Sequence, residues 1–210
     1  MPIRPSLQST IDQLIQEFGL IPDDRKTILQ GLADFIQTKV DREQKTCLNF
    51  ICTHNSRRSH FAQIWAQAAA NYYRVEDVEC FSGGTEATAF NSRAVRAMSD
   101  AGFDIVKASD GSNPTYEVSY AVGSDPVVAF SKKYDDPFNY TKDFMAIMTC
   151  AHADENCPLV IGASMRLAIT YDDPKVFDDT PQEAAKYAER VRQIGREMLF
   201  TFSKITSKLK

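Results

Sequence analysis

The stretch Leu48-Asn49-Phe50-Ile51-Cys52-Thr53-His54-Asn55-Ser56-Arg57-Arg58-Ser59 decides how this chain folds. The largely apolar residues 47 to 51 read as a buried strand, the polar residues after them as a short loop, and residues 59 to 72 as a helix. Cys52 therefore falls where a strand passes into a loop ahead of a helix N-terminus. Unpaired N–H groups at a helix start, aligned with its dipole, favour an anion. Successive loop N–H groups can curl into a nest around it. The same positive field favours a thiolate, the reactive form of cysteine. Arg58, six residues after Cys52, offers a planar fork of donors to a tetrahedral oxyanion. Asn55, Ser56 and Ser59 are small polar residues able to hold the loop and the thiolate by hydrogen bonds. The bland alternative is a buried structural cysteine beside a surface arginine pair.

Downstream of this stretch the pattern continues as strand, helix, strand, helix. Residues 78 to 82 read as a second strand, followed by Gly83-Gly84, and residues 91 to 101 as a helix ended by Gly102. Such alternation implies a parallel sheet with right-handed crossovers, whose sites lie at the carboxyl ends of the strands. Cys52 is at such an end. Cys80, inside the second strand, and Trp65, the only tryptophan, read as packing residues. The run Phe144-Met145-Ala146-Ile147-Met148-Thr149 is apolar throughout and reads as a central strand. It leads directly into Cys150-Ala151-His152-Ala153-Asp154-Glu155-Asn156-Cys157-Pro158, so Cys150 also stands at a strand end. A zinc site would need four ligands at tighter spacing than this pair and its one histidine supply. Polar, mobile residues between the two cysteines would let one thiol approach the other. Residues 167 to 170 read as the last strand, leading to Tyr171-Asp172-Asp173-Pro174, where proline stiffens a turn that can aim a carboxyl at the site.

The C-x5-R-S pattern after a strand resembles the phosphate loop of the low-molecular-weight protein tyrosine phosphatase fold, which thioredoxin-coupled arsenate reductases share. The C-x-x-A-D-x-N-C-P segment resembles the redox segment of those reductases, and plain tyrosine phosphatases of the fold lack this pair. The resemblance covers about residues 45 to 202. It implies a central parallel four-stranded sheet flanked by helices, with residues 53 to 59 (Thr53, His54, Asn55, Ser56, Arg57, Arg58 and Ser59) cradling the oxyanion. It further implies Cys52 as nucleophile, Cys150 and Cys157 as the thiol relay, and Asp173 as general acid with Asp172 in reserve. Arsenate is then reduced to arsenite, no cofactor is bound, and thioredoxin is the external reductant. A segment of roughly residues 150 to 163 must refold locally for the thiols to meet. The alternative is a tyrosine phosphatase working through a phosphocysteine. The cysteine pair speaks against it, as does Lys175 where that class has tyrosine after Asp-Pro. Two departures make the loop more basic: His54 stands where the family commonly has glycine, and Arg57 where reductases often have cysteine. Asn55, Ser82 and Asp110 match positions that hold a potassium ion in some reductases. Gln63 replaces the customary glutamate there, so no resident metal is expected.

Two further parts lie outside the resemblance. Residues 1 to 44 carry two helical stripes, Ile11, Leu14, Ile15 and Phe18, then Ile28, Leu29, Leu32, Phe35, Ile36 and Val40. They form a helical extension suited to packing on the catalytic domain, 45 to 210, or to homodimerisation. Residues 113 to 143 form an insertion, read as a β-hairpin (116 to 122 with 127 to 131) followed by a basic, aromatic loop suited to a surface edge or to a rim over the pocket. A net charge of −4 gives no support to nucleic-acid binding. No apolar run is long enough to span a bilayer, and the N-terminal residues lack an apolar signal core. A cytoplasmic protein is expected, and its five cysteines then argue for reactive or buried thiols rather than a static disulfide framework. The final helix is expected to open at Thr180-Pro181.

Overall fold

The computed structural model describes residues 1–156 and 159–206, so Cys157 lies outside the described residues. The elements run α1 (Pro5–Gln16), α2 (Asp23–Asp41), β1 (Thr46–Cys52), α3 (Arg58–Tyr72), β2 (Val78–Gly84), α4 (Ser92–Asp100), β3 (Asp104–Lys107), β4 (Tyr116–Ser119), β5 (Val127–Ala129), β6 (Phe144–Met148), α5 (Ala151–Asn156), β7 (Ala163–Ala168) and α6 (Glu183–Phe202). The main sheet is four-stranded and parallel, in the order β2-β1-β6-β7. β1 and β6 are its two central strands, paired from Leu48 with Met145 to Ile51 with Met148. Their carboxyl ends therefore stand side by side, with Cys52 as the last residue of β1 and Cys150 two residues past β6.

Side-chain alternation along these strands sorts the core into two faces. Leu48 and Phe50 of β1, with Met145 and Ile147 of β6, join α1, α2, α3 and α6 in one large core. Ile51, Cys52, Phe144, Ala146, Met148 and Cys150 form a smaller core on the other side, with Ala153 of α5 and Val160. The extension belongs to the large core: Leu7, Ile11, Leu14, Leu29, Leu32 and Ile36 are all fully buried. At about 1.5–3 kcal/mol for each such side chain, this burial is ample reason for the helices to dock. Their apolar stripes are thus used inside the chain, against α6. Arg25 of α2 donates to the buried Glu197 of α6 at 2.8 and 3.0 Å. Its guanidinium lies 4.7 Å from the Tyr171 ring centroid.

The inserted hairpin is present as antiparallel β4 and β5, joined by β3 into a three-stranded sheet. β3 has almost no buried side chain and no apolar alternation, so its sequence gives no strand signal. β7 begins earlier than the sequence suggests, at Ala163. The ladder nonetheless continues past it, because Ile169 and Tyr171 donate to the Met148 and Thr149 carbonyls. α6 starts at Glu183, later than the Thr180-Pro181 signal. The Thr180 hydroxyl donates to the Phe177 carbonyl, closing the preceding turn, and accepts from the Gln182 amide ahead of the helix. The residues after Cys150 form the short helix α5, where the sequence suggests a loop.

Candidate active site

The loop 53 to 57 is held by its carbonyl oxygens. The Cys52 and Thr53 carbonyls accept from the Thr85 and Glu86 amides, the His54 carbonyl from the Thr88 and Ser131 hydroxyls, and the Ser56 carbonyl from the Asn91 amide. Among the described residues, no protein acceptor takes up the N–H groups of residues 53 to 57. Buried backbone donors are nearly always paired, so N–H groups left over at a helix start form a cradle for an anion. Asn55 turns the chain with φ +43°, a conformation asparagine tolerates better than most residues. Its amide donates to the Ser59 hydroxyl at 2.9 Å and accepts from the Lys132 N–H at 2.9 Å. Ser59 Oγ in turn lies 3.1 Å from Cys52 Sγ.

Arg58 donates to the Tyr171 carbonyl at 2.9 Å and to Asp173 at 2.7 Å. The two neighbouring carboxylates differ sharply in exposure. The Asp173 side chain is 25% exposed and paired with Arg58, whereas that of Asp172 is 96% exposed and 3.4 Å from Arg190. Asp173 also caps the turn Pro174–Phe177 by accepting from the Lys175 amide. Arg57 is buried and turns elsewhere, donating to the Tyr187 hydroxyl at 2.8 Å and to Asp178 at 3.4 Å. Burial, with Asp178 adding to it, pushes the Tyr187 phenol up to about 12. Of the loop residues, the side chains of Asn55 and Ser59 adjoin Cys52, and that of Arg58 pairs with Asp173, which Arg57 Nε approaches to 4.0 Å. Those of Arg57 and Ser56 fasten the loop to its surroundings, and His54 sits at the rim, 3.7 Å from Glu86.

Cys150 is buried beside the same loop. Its Sγ lies 3.5 Å from Thr53 Oγ1 and accepts the Ala153 N–H at 3.3 Å. Thr53 Oγ1 is also 3.2 Å from His152 Nδ1. A cleft of about 340 Å³ opens here, with Arg58, Cys150, His152, Asp173 and Arg190 in its walls. Thus Arg58, Asp173 and Cys150 share this cleft, Cys52 joins Cys150 in the smaller core, and Cys157 is outside the described residues. The Thr53 contacts with Cys150 and His152 carry no sequence signal, because about a hundred residues separate the partners.

The insertion braces the loop; it does not roof the cleft. Lys132 N–H meets Asn55, the Gly84 amide meets the Lys132 carbonyl, and the Ser131 hydroxyl meets His54. Gly83 and Gly84 permit this approach, since a Cβ on either would lie under 2.5 Å from a backbone atom. Phe81, Phe130, Phe138 and Tyr140 stack edge to face with one another, and none of them lines the cleft. The Lys132 ammonium is buried over the Phe130 and Phe138 rings, and burial pushes it down to about 8 against the pull of Asp136.

The residues matched to a potassium site do not assemble into one. Asn55 and Ser82 are buried, but the Asp110 side chain is 97% exposed and bonded to Lys107. Both ends of the Asn55 amide are engaged by protein groups, and Gln63 donates to the Cys80 carbonyl. Among the described residues, no group of three or more His, Cys, Asp or Glu side chains is arranged to hold a metal ion. None of the described helices is long and apolar enough to cross a membrane.

An arsenate reductase of Brevibacillus brevis is 31% identical over 157 residues, covering 70% of this chain and 97% of its own length. One from Halalkalibacterium halodurans is 28% identical over 155 residues, covering 73% and 93%. Among solved structures, a low-molecular-weight phosphotyrosine phosphatase of Vibrio cholerae aligns with a TM-score of 0.48 at 13% identity, covering 74% of this chain and 93% of its own. No family model matches the chain.

Proposed function

The chain belongs to the arsenate reductase family of enzymes, and from that membership we propose that it reduces arsenate to arsenite through a three-cysteine relay drained by thioredoxin. One observation carries the reading: Cys52 ends one of two adjacent, hydrogen-bonded strands, Cys150 follows the end of the other, and the two share a buried cluster. Arsenate enters the loop N–H cradle and takes up the fork of Arg58, which is bonded to Asp173. Cys52 thiolate attacks arsenic, and Asp173 gives a proton to the departing oxygen. Cys150 thiolate then attacks Cys52 Sγ. An S–S bond forms and the S–As bond breaks with its electron pair left on arsenic, which departs as arsenite. Cys157 attacks Cys150, Cys52 thiolate leaves, and a Cys150–Cys157 disulfide remains for the thioredoxin dithiol. Residues of roughly 150 to 163 refold locally in this last step. The six-residue length of α5 and the exposure of Leu159 and Ile161 keep that movement inexpensive.

The test is NADPH consumption with arsenate, thioredoxin and thioredoxin reductase. Arsenate-dependent turnover in the wild type, lost in Cys150→Ser, is the expected result. No turnover in the wild type, together with aryl phosphate hydrolysis abolished by Cys52→Ser, would replace this reading with a phosphatase.

A further inference from the structure

We propose that His152 takes the proton of the Cys150 thiol through the Thr53 hydroxyl, and so governs when Cys150 becomes a nucleophile. The inference rests on the relay described above and assigns a step within it. Cys150 is almost completely buried, whereas His152 is exposed and can pass a proton on to solvent. Thr53 Oγ1 stands between them, 3.5 Å from the sulfur and 3.2 Å from His152 Nδ1. With the ring proton on Nε2, Nδ1 accepts from the Thr53 hydroxyl, whose oxygen accepts from the thiol.

The proton count closes. The Cys150 S–H proton moves to Thr53 Oγ1 as the Thr53 proton moves to Nδ1. This leaves a thiolate that keeps the bonding pair, an intact threonine and an imidazolium. The Ala153 N–H, donating to the sulfur at 3.3 Å, stabilises the anion so formed. The same surroundings hold Cys52 of β1 with Tyr134 and Tyr140 in the shared buried cluster, Asp154 and Glu155 on α5, Arg58, Asp172 and Asp173 across the cleft, and Arg190 on α6. All of these stay constant when only residues 53 and 152 are changed. His152 touches no reacting atom. Its part is to orient the threonine and receive the proton.

The experiment follows iodoacetamide alkylation of Cys150 against pH in the full-length, freshly reduced protein without arsenate. A Cys157→Ser background leaves Cys150 as the one thiol in its tryptic peptide. His152→Ala and Thr53→Val should each move the profile to higher pH and slow alkylation at pH 7 by about three- to tenfold, the size of one ordinary hydrogen bond lost. The double variant should fall no further than either single one, and Thr53→Ser, which keeps the hydroxyl, should behave as the background. A His152→Ala profile that coincides with the background, or effects that multiply in the double variant, would overturn the proposal. The readout contains no arsenate, so the absence of arsenate turnover would count against the reductase reading alone.

Discussion

At the scale of single residues, the loop is held by side chains bonded to other protein groups. Asn55 spends one end of its amide on the Ser59–Cys52 pair and the other on the insertion, so one side chain carries the position of Lys132 to the nucleophile. His60, one turn into α3, is buried against Phe90 with ring centroids 4.2 Å apart, and its Nδ1 meets the Ser82 hydroxyl. Burial, helped by the Lys132 charge, pushes its imidazole down to about 3. The unfolded chain takes up that proton near pH 6.5, and the folded protein does so only near pH 3. His60 therefore makes no demand on stability above pH 6.5, and destabilises the fold progressively as pH falls from about 6.5 towards 3. At pH 5 the loss amounts to about 2 kcal/mol. Urea unfolding at pH 7, 6 and 5 should show the wild-type midpoint falling more steeply than that of His60→Gln. Equal slopes would remove His60 from the acid sensitivity of the protein.

At the scale of elements, the contact between α3 and α6 is set by one small residue. A Cβ on Gly195 would lie 2.6 Å from Trp65, whose indole is fully buried and packs edge to face on Phe103. Gly195→Ala should therefore destabilise the protein by about 1–3 kcal/mol despite alanine's better helix propensity, as read by thermal or urea unfolding. A stabilised variant would mean the helices part without strain. The elements legible in the sequence are those whose pattern is driven by burial: β1, β6, α3, and the stripes of α1 and α2. Cys52 and Arg58 were legible too, because the strand-loop-helix order fixes where they fall. What was not legible depends on partners far along the chain. β3 is an exposed edge strand that exists because β4 offers it a ladder. The Lys132 backbone contact with the loop leaves no trace in side-chain pattern. That Arg58 pairs with Asp173 and not with Asp172 depends on a residue in another layer of the fold.

At the scale of the whole molecule, the N-terminal extension reaches the chemistry without entering it. Arg25 pairs with Glu197, Glu197 accepts the Tyr171 hydroxyl at 2.8 Å, and the Tyr171 carbonyl accepts from Arg58. Arg25→Ala should cost about 3–5 kcal/mol, because it leaves the buried Glu197 without its cation. It should also raise KM for arsenate as Tyr171 loses its anchor. Unfolding and steady-state assays on the same variant check the two effects, and an unchanged KM would confine Arg25 to stability. The consequence reaches beyond this one chain. Residues 25, 171 and 197 form a single heritable unit drawn from the two ends of the polypeptide. A lineage that sheds the extension strands a carboxylate in the core, so it must exchange Glu197 for an apolar or amide residue. The presence of helix α2 and the identity of residue 197 should therefore covary among homologues, even where nothing in the catalytic loop differs.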